Sequence, residues 1–596
     1  MIKLSLNGAN VEIELNKSVN FDKILSLLKT YHCRYNSLTH KWSTNYFRYL
    51  DFEDYLSELD VVDNKLNKEE VDKILSGTPE REFEKTRRQI DYSLLNYECI
   101  KGKSPNENFQ RVGITQGINQ SRRLYLWDCG SGKSFVASAI IAHRLYKYKD
   151  CGKVLFLTSN IGVQNLYHEL FKFIKNLDET RVRMITKDNR NCFDDKNVDI
   201  LVMSYNTFRL VCDYYKKENK ISSKLPKKPF LPLEEWADGQ ELMLVLDESH
   251  NLSTPTSLQT HYMILHSKFF KYRYLFTATF ADKPEKMWSQ LYICDPYLVW
   301  RLSFADWKIR MANIGTRYSQ YAISGWKADE IKLENDKILE YGTKYKIDEI
   351  LDLPDYNEKR IYIPMSKKHR EIYESFVVED LKDKNNSRDI INRFMYMMLS
   401  VDNPQMLLNH ENNLSEDLIN KINTLKITDL NKINAIENII ADNEGEKILI
   451  WCIHPSTINI YAEYFKKYKP ICIMGETPKE ERFKLIEEFK KSDSKLLIAN
   501  IQVLSTSFTL TEIKTQIYAD RSFDYTNYEQ STRRIYRYGQ TNNVKTYILM
   551  YDKSLDVVLD KNLKNKGKLI SNLGNRKIIT QDEWRKIFNC QENDNI

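Results

Sequence analysis

Apolar positions in this chain fall into two separate series of short runs divided by helical stretches. The first 60 residues stand apart. Positions 1–6 and 11–15 alternate apolar and polar around Asn7-Gly8-Ala9-Asn10, a hairpin signal, and Phe21, Ile24, Leu25 and Leu28 recur at helical spacing. A second extended pair is expected at 34–36 and 41–43, which makes 1–60 a small α+β module. Residues 61–107 are charged and read as a helical connector, with helical patterns at 67–75 and 79–90. The first series follows at 124–127, 154–157, 200–203, 242–246 and 274–276. The second comprises 447–451, 471–474, 496–499, 516–519 and 544–550. Continuous apolar runs of this length, separated by helices, are what a parallel sheet covered on both faces requires. The fold class is therefore α/β, with lobes over 108–300 and 435–555, a helical insertion over 301–434 that contains a loop at 382–388, and a helical tail over 556–596.

Composition narrows the class. A chain of 596 residues exceeds one hydrophobic core, and 42% hydrophobic with 29% charged residues describes a globular protein. No apolar stretch approaches the ~20 residues of a membrane span, and the N-terminus lacks the apolar core of a signal peptide, so a cytoplasmic protein without a membrane partner is expected. The ten cysteines show no Cys-x-x-Cys pair, which indicates neither a zinc site nor a disulfide framework. The net charge of +7 permits a polyanionic partner without requiring one.

Three short segments carry candidate chemistry. Gly130-Ser131-Gly132-Lys133-Ser134, preceded by Cys129, lies between an apolar strand and an apolar helix. Small residues there let consecutive backbone N–H groups converge on phosphate oxygens, with Lys133 neutralising β and γ phosphates and Ser134 holding Mg2+. The full pattern wants glycine at 127, where this chain has Trp127. About one domain's length later, a strand delivers Asp247 and Glu248 at its C-terminal end, the place where open α/β sheets hold ligands. Asp247 would bind Mg2+ through water and Glu248 would orient and deprotonate the attacking water. Near the end of the chain Gln530, Arg534 and Arg537 are expected on one helix face. Arginine stays charged and donates in a fork, so a second lobe could bring it to the phosphates.

In order along the chain, Phe109-Gln110, 130–134, 247–250, Thr277-Ala278-Thr279 and the 530–540 segment resemble the helicase-like ATPases of superfamily two. Ser204-Tyr205, 281–296, 352–354, 403–407 and Tyr538-Gly539-Gln540 are similar to the Swi/Snf-type DNA-dependent translocases. The resemblance covers roughly 108–550 and implies two tandem RecA-like lobes that use ATP and Mg2+ on double-stranded DNA. It also implies that Gln110 reads adenine and that His250 and Thr277–Thr279 couple nucleotide to DNA. Ser159, Asn165, Ser204 and Tyr205 would lie along one strand's phosphates.

Two departures are visible. Ser505 and Ser507, also expected near nucleic acid, replace glycines of the family's loop, and Asn251 stands where relatives often carry a basic residue. The N-terminal module, with Phe21, Tyr35, Trp42 and Tyr49, resembles the HepA-related (HARP) domain of annealing helicases and the recognition modules of viral branch-migrating motors; this shifts the expected substrate to forked or branched DNA. A basic segment, 216–228, is inserted before Asp247. Abundant Lys, Asn, Ile and Tyr point to an AT-rich microbial or viral genome. The resulting expectation is a monomeric ATP-dependent duplex-DNA translocase. An RNA or restriction-complex helicase and a DNA-binding scaffold that has lost hydrolysis remain as alternatives.

Overall fold

The computed structural model describes residues 80–96, 107–314 except 161 and 282, 323–347, 353–378, 387–504 and 510–572 except 538, together with short runs within the first 64 residues. Two compact units result, one built around 132–345 with the N-terminal part of the chain, the other around 346–568. Among the described residues no helix is long and apolar enough to cross a membrane. All eight described cysteines are free thiols.

The N-terminal module is a five-stranded sheet. β1 (Ile2–Asn7) and β2 (Asn10–Leu15) form the expected hairpin, β3 (Arg34–Asn36) and β4 (Lys41–Asn45) the second pair, and the order is β3-β4-β2-β1-β5. One face packs Ile2, Leu4, Val11 and Ile13 against Ile24 and Leu28 of α1 (Phe21–Thr30), because a two-residue period and a helical period can share one apolar seam. β5 (Val62–Asn64) adds parallel to β1, so the module closes a few residues beyond the expected boundary at 60.

The connector departs from expectation. The 67–75 pattern lies outside the described residues, but 80–90 is irregular where a helix was expected. Phe83 bridges Gln120 and Leu95 bridges Ile174, while Asp295 Oδ2 accepts from the Glu80 and Arg81 amides at 3.0 and 3.1 Å. Glu80 also pairs with Arg122 and Arg301, and Arg88 with Asp150. These contacts with the lobe outweigh a helical charge pattern whose i,i+4 pairs contribute only ~0.2–0.5 kcal/mol each.

Beyond α2 (Glu107–Asn119), the first lobe is a seven-stranded parallel sheet. Its strands are β6 (Arg122–Trp127), β7 (Lys153–Thr158), β8 (Val182–Met184), β9 (Ile200–Ser204), β10 (Leu242–Asp247), β11 (Phe270–Phe276) and β14 (Gly342–Tyr345), ordered β14-β6-β11-β10-β7-β9-β8. Every residue of β6, β7 and β9 is buried, as strands covered on both faces must be. The helices used below are α3 (Lys133–Ala142), α4 (Tyr205–Glu218) and α5 (Leu258–Ser267).

The segment 301–434 is not simply a helical insertion. It contains the antiparallel pair β12 (Ala312–Ile314) and β13 (Ile323–Trp326), then β14, which joins the first sheet, and β15 (Tyr356–Ile363), which joins the second. The expected boundaries at 300 and 435 therefore cut through both lobes. Of the expected loop, 382–386 lies outside the described residues, and a helix begins at Ser387. The second sheet is parallel, with β16 (Ile448–Cys452), β17 (Ile471–Ile473), β18 (Leu496–Asn500), β19 (Thr515–Tyr518) and β20 (Val544–Tyr551) in the order β15-β20-β19-β16-β18-β17. It carries α6 (Tyr525–Ile535) and the C-terminal α7 (Leu555–Asn572), whose Asp560 takes ion pairs from Arg360 and Arg521 at 2.8 and 3.0 Å.

Candidate nucleotide site

β6 delivers the chain into a tight loop. Gly130 and Gly132 have φ of 84° and 83°, the left-handed region, and the Ser131 amide and hydroxyl both donate to the Asp128 carbonyl, at 3.3 and 2.8 Å. Gly132 caps α3, so the first N–H groups of that helix, which have no partner within it, open onto the loop. A Cβ on Gly132 would stand 2.2 Å from Nε2 of Gln110, which α2 brings against the loop. Lys133 is buried and its ammonium donates to the Trp127 carbonyl at 3.0 Å, which holds the charge at the strand end.

Trp127 explains the missing glycine. It is the last residue of β6, wholly buried, with its indole N–H on Thr343 Oγ1 at 2.8 Å and its ring against Phe109 and Tyr345. The bulky side chain points into the lobe, and the phosphate loop starts after it.

β10 ends at Asp247 and Glu248. Asp247 Oδ2 accepts from Thr158 Oγ1 at 2.9 Å, and its backbone carbonyl accepts from Tyr205 OH at 2.7 Å. Burial, then the neighbouring Glu248 charge, push the Asp247 carboxyl up to about 7, with the Lys133 ammonium and the Thr158 bond opposing. Glu248 has φ 50° and ψ 49°, a left-handed conformation rare for a side chain of this type, and the chain then turns into Ser249–Leu252. The Asn251 amide and its side-chain amide both donate to the Glu248 carbonyl, at 3.0 and 2.8 Å, and hold that turn. His250 Nδ1 lies 3.3 Å from Glu248 Oε2, 3.1 Å from Thr277 Oγ1 and 3.4 Å from Thr279 Oγ1. Ser249 donates to Gln290 Oε1 at 2.8 Å. The loop after β10 is thereby tied to the end of β11, with Thr277 and Thr279 buried and Ala278 half-buried.

Thr158 and Gln290 are contributors that the sequence reading did not assign. Thr158 was detectable as the polar residue ending an apolar strand, whereas nothing local marks Gln290.

The expected nucleic-acid residues divide. Asn165 is exposed and Ser159 half-buried. Ser204 and Tyr205 are buried and turned inward: the Ser204 hydroxyl caps α4 by accepting from the Thr207 amide at 3.0 Å, and the Tyr205 phenol is taken by Asp247. Both are corrections to the strand-contact expectation, because each polar atom already serves the lobe. Ser505 and Ser507 lie outside the described residues.

In the second lobe, Asp524 caps α6 and Gln530 is buried. The helix ends at Ile535; Tyr536 has ψ 84°, so Arg537 follows in a bend and does not share one helix face with Arg534 as expected. Both arginines are half-buried. Their segment is anchored by Leu510 N donating to Arg534 O at 3.0 Å and by Gln540 Nε2 donating to Ile513 O at 3.0 Å. Tyr538 is outside the described residues.

Residues 80–282 match the family described as type III restriction enzyme, res subunit, and residues 431–539 match the helicase conserved C-terminal domain. The ISWI chromatin-remodeling complex ATPase ISW1 of Saccharomyces cerevisiae is 21% identical over 72% of this chain, and the chromodomain-helicase-DNA-binding protein 1-like of Danio rerio is also 21% identical over 72%. This chain spans 36% and 40% of the length of those relatives. Among solved structures, the Sulfolobus solfataricus SWI2/SNF2 ATPase core in complex with dsDNA is 19% identical, with a TM-score of 0.33 over 82% of this chain and 97% of that one. The phosphate loop and the Asp-Glu strand end thus fall in or beside the segment similar to the restriction-enzyme res subunit, and the arginine segment in the one similar to the helicase C-terminal domain.

Proposed function

We propose that this protein is an ATP-dependent translocase on double-stranded DNA that remodels or anneals forked or branched substrates. The observation that carries the reading is the continuous set of contacts from Thr158 through Asp247 and Glu248 to His250 and Thr277–Thr279, placed beside the glycine loop. Such a set can report the state of a bound phosphate to the far side of the loops.

In this reading the 129–134 backbone and Lys133 take the phosphates, and Gln110 reaches the base. Ser134 and Asp247 offer the hard oxygen donors that Mg2+ prefers. Among the described residues no three His, Cys, Asp or Glu side chains form a protein-only metal group. When bound, Mg2+ neutralises charge on the β and γ phosphates. Glu248 holds the attacking water and accepts its proton; the left-handed turn aims that carboxylate. Gln530, Arg534 and Arg537 are assigned to stabilising the charge that develops on the γ phosphate, a contribution of ~10³–10⁵ in rate for an arginine supplied this way. Ser159 and Asn165 are the candidates for phosphate contacts along one strand, with Ser505 and Ser507 serving the second lobe.

The preference for forks rests on the N-terminal module, where Tyr35 is 51% exposed and its ring lies 5.3 Å from that of Trp42. A base stacked there would gain ~1–3 kcal/mol. Trp42 itself packs partly into the module's core, so Tyr35 is the outward platform.

The deciding experiment is ATPase activity of the purified protein with linear duplex, fork, single-stranded DNA and RNA. Stimulation by duplex and fork is expected, with Lys133→Ala and Glu248→Gln abolishing turnover while DNA binding persists, and Arg534→Ala losing hydrolysis while nucleotide still binds. Stimulation by RNA alone would turn the reading to an RNA helicase, and absence of turnover with any nucleic acid would leave a scaffold.

A further inference from the structure

The inserted segment before β10 concentrates charge that the site does not use. Residues 216–228 hold six lysines and a single acid, Glu218. Lys217, Lys220, Lys224, Lys227 and Lys228 are exposed and Lys216 half-buried, and among the described residues none of the six ammonium groups has an ion-pair or hydrogen-bond partner. Other surface lysines do find acids, as in Lys421–Asp417, Lys466–Glu463 and Lys467–Glu437. A run of unpaired like charges repels itself and is retained at a cost unless a polyanion neutralises it.

The segment is also held in shape. Buried His266 uses Nε2 to accept from the Phe230 and Leu231 amides at 3.0 and 3.2 Å, with Nδ1 on the Tyr262 carbonyl at 2.8 Å. His261 Nε2 donates to the Pro226 carbonyl at 2.8 Å, and Asn219 closes the base by donating to the Phe230 carbonyl at 3.0 Å. The lysine tip thus projects from a base fixed on α5, and little ordering remains to be done on binding.

Its position argues against the tracked strand. α4 starts beside Asp247, at the C-terminal end of the parallel strands, and its 14 residues carry the chain about 21 Å away, to the end where β10 begins. Asp194, Glu218, Glu234 and Glu235 line a recess with Tyr214 next to the tip, and their charge would repel a polyanion from the recess and leave it the lysines. We propose that this tip grips the phosphate backbone of a second duplex segment, the other arm of a branched DNA, while the strand-end loops engage the first. The proposal rests on the duplex-translocase reading and adds a second contact to it.

The test uses the full chain with Lys220, Lys224, Lys227 and Lys228 all changed to Gln, a forked duplex, and a linear duplex as long as one arm. Each lost phosphate contact flattens the dependence of log affinity on log salt by ~0.9, or roughly eightfold in affinity at about 0.1 M salt. The expected result for the fork is a slope reduced by about 2–4 units, with turnover at saturating linear duplex within about twofold of wild type. An unchanged slope for the fork overturns the proposal, and so does a loss of turnover at saturating linear duplex with fork affinity intact. If wild-type protein binds forks without DNA-stimulated turnover, the translocase reading fails, while the slope comparison still decides the lysine tip.

Discussion

Tyr205→Phe separates two accounts of one residue. The family resemblance puts Tyr205 beside a DNA strand; the structure turns its phenol inward onto the Asp247 carbonyl at 2.7 Å, with the residue 3% exposed. Burial and the Asp247 and Glu248 charges push that phenol far above its ordinary range, so it stays a neutral donor. Removing the hydroxyl takes away a net ~1 kcal/mol, rising to ~1–3 kcal/mol because water cannot reach the carbonyl left behind. For a unit of this size the melting midpoint falls roughly 2–4 °C per kcal/mol. Asp247 keeps its Thr158 bond, so turnover should drop by about tenfold at most, the equivalent of ~1.4 kcal/mol in the barrier. The assays are thermal melting, duplex-stimulated ATPase and a salt titration of duplex binding. Combining Tyr205→Phe with Thr158→Val should be non-additive in turnover, since both side chains hold the same aspartate. A duplex affinity weakened severalfold with an unchanged melting midpoint would refute the inward role.

Gly132→Ala should abolish nucleotide binding, because a φ of 83° costs a side chain ~1–2 kcal/mol and the new methyl meets the Gln110 amide; adding Gln110→Ala relieves only the second effect, and a fluorescent ATP analogue reads both. His250→Ala removes the atom that lies between Glu248 and Thr277, so DNA stimulation should fall at least about fivefold while basal turnover persists, checked as the ratio of stimulated to basal ATPase. Burial lowers His266 in the first lobe and His369 in the second to about 4, below the unfolded value near 6.5. A depressed histidine pKa means that stability is fully present above about 6.5 and lost as pH falls toward 4, by at most about 3 kcal/mol per histidine; melts between pH 7 and 4.5 test this, and His369→Gln should flatten the decline for the second lobe alone.

Much of the fold was legible because strands buried on both faces declare themselves as apolar runs: the ten runs read from the sequence all fall within or beside strands of the two sheets. The short or solvent-facing strands β8, β14 and β15 have no counterpart among those runs. β15 is exposed or half-buried except at Ile363 and has no continuous apolar run, and β14 is four residues that make sense only beside β6. The 79–90 pattern predicts a helix that does not form, since Glu80 and Arg88 pair with Arg122 and Asp150 of the lobe and only Arg88–Glu84 keeps the helical spacing. At the site, the loop and the acid pair were readable from spacing, but the direction of a side chain was not. Tyr205, Ser204 and Trp127 all turn inward, and no local pattern encodes that. Arg537 was displaced from the helix face by the backbone change at Tyr536, which an i,i+3 spacing cannot reveal.

Asn251 gives the departure from the family pattern a physical meaning. The left-handed backbone at Glu248 costs on the order of 1–2 kcal/mol, and something must hold it. Here two donors from one residue, the Asn251 amide and its side chain, converge on the Glu248 carbonyl, and the Asn251 carbonyl is in turn held by Gln259 Nε2 at 2.8 Å. Two hydrogen bonds of ~0.5–1.5 kcal/mol each are enough to offset the strain. A basic residue has no compact side-chain amide to place there, whereas Asn251 locks the turn from within. The aim of the Glu248 carboxylate then depends on that turn on one side and on His250, with its hydroxyl neighbours at the end of β11, on the other. A displacement of β11 that carried Thr277 away would release only the second hold, leaving Glu248 in its strained turn and altering the direction of its carboxylate without dismantling the loop.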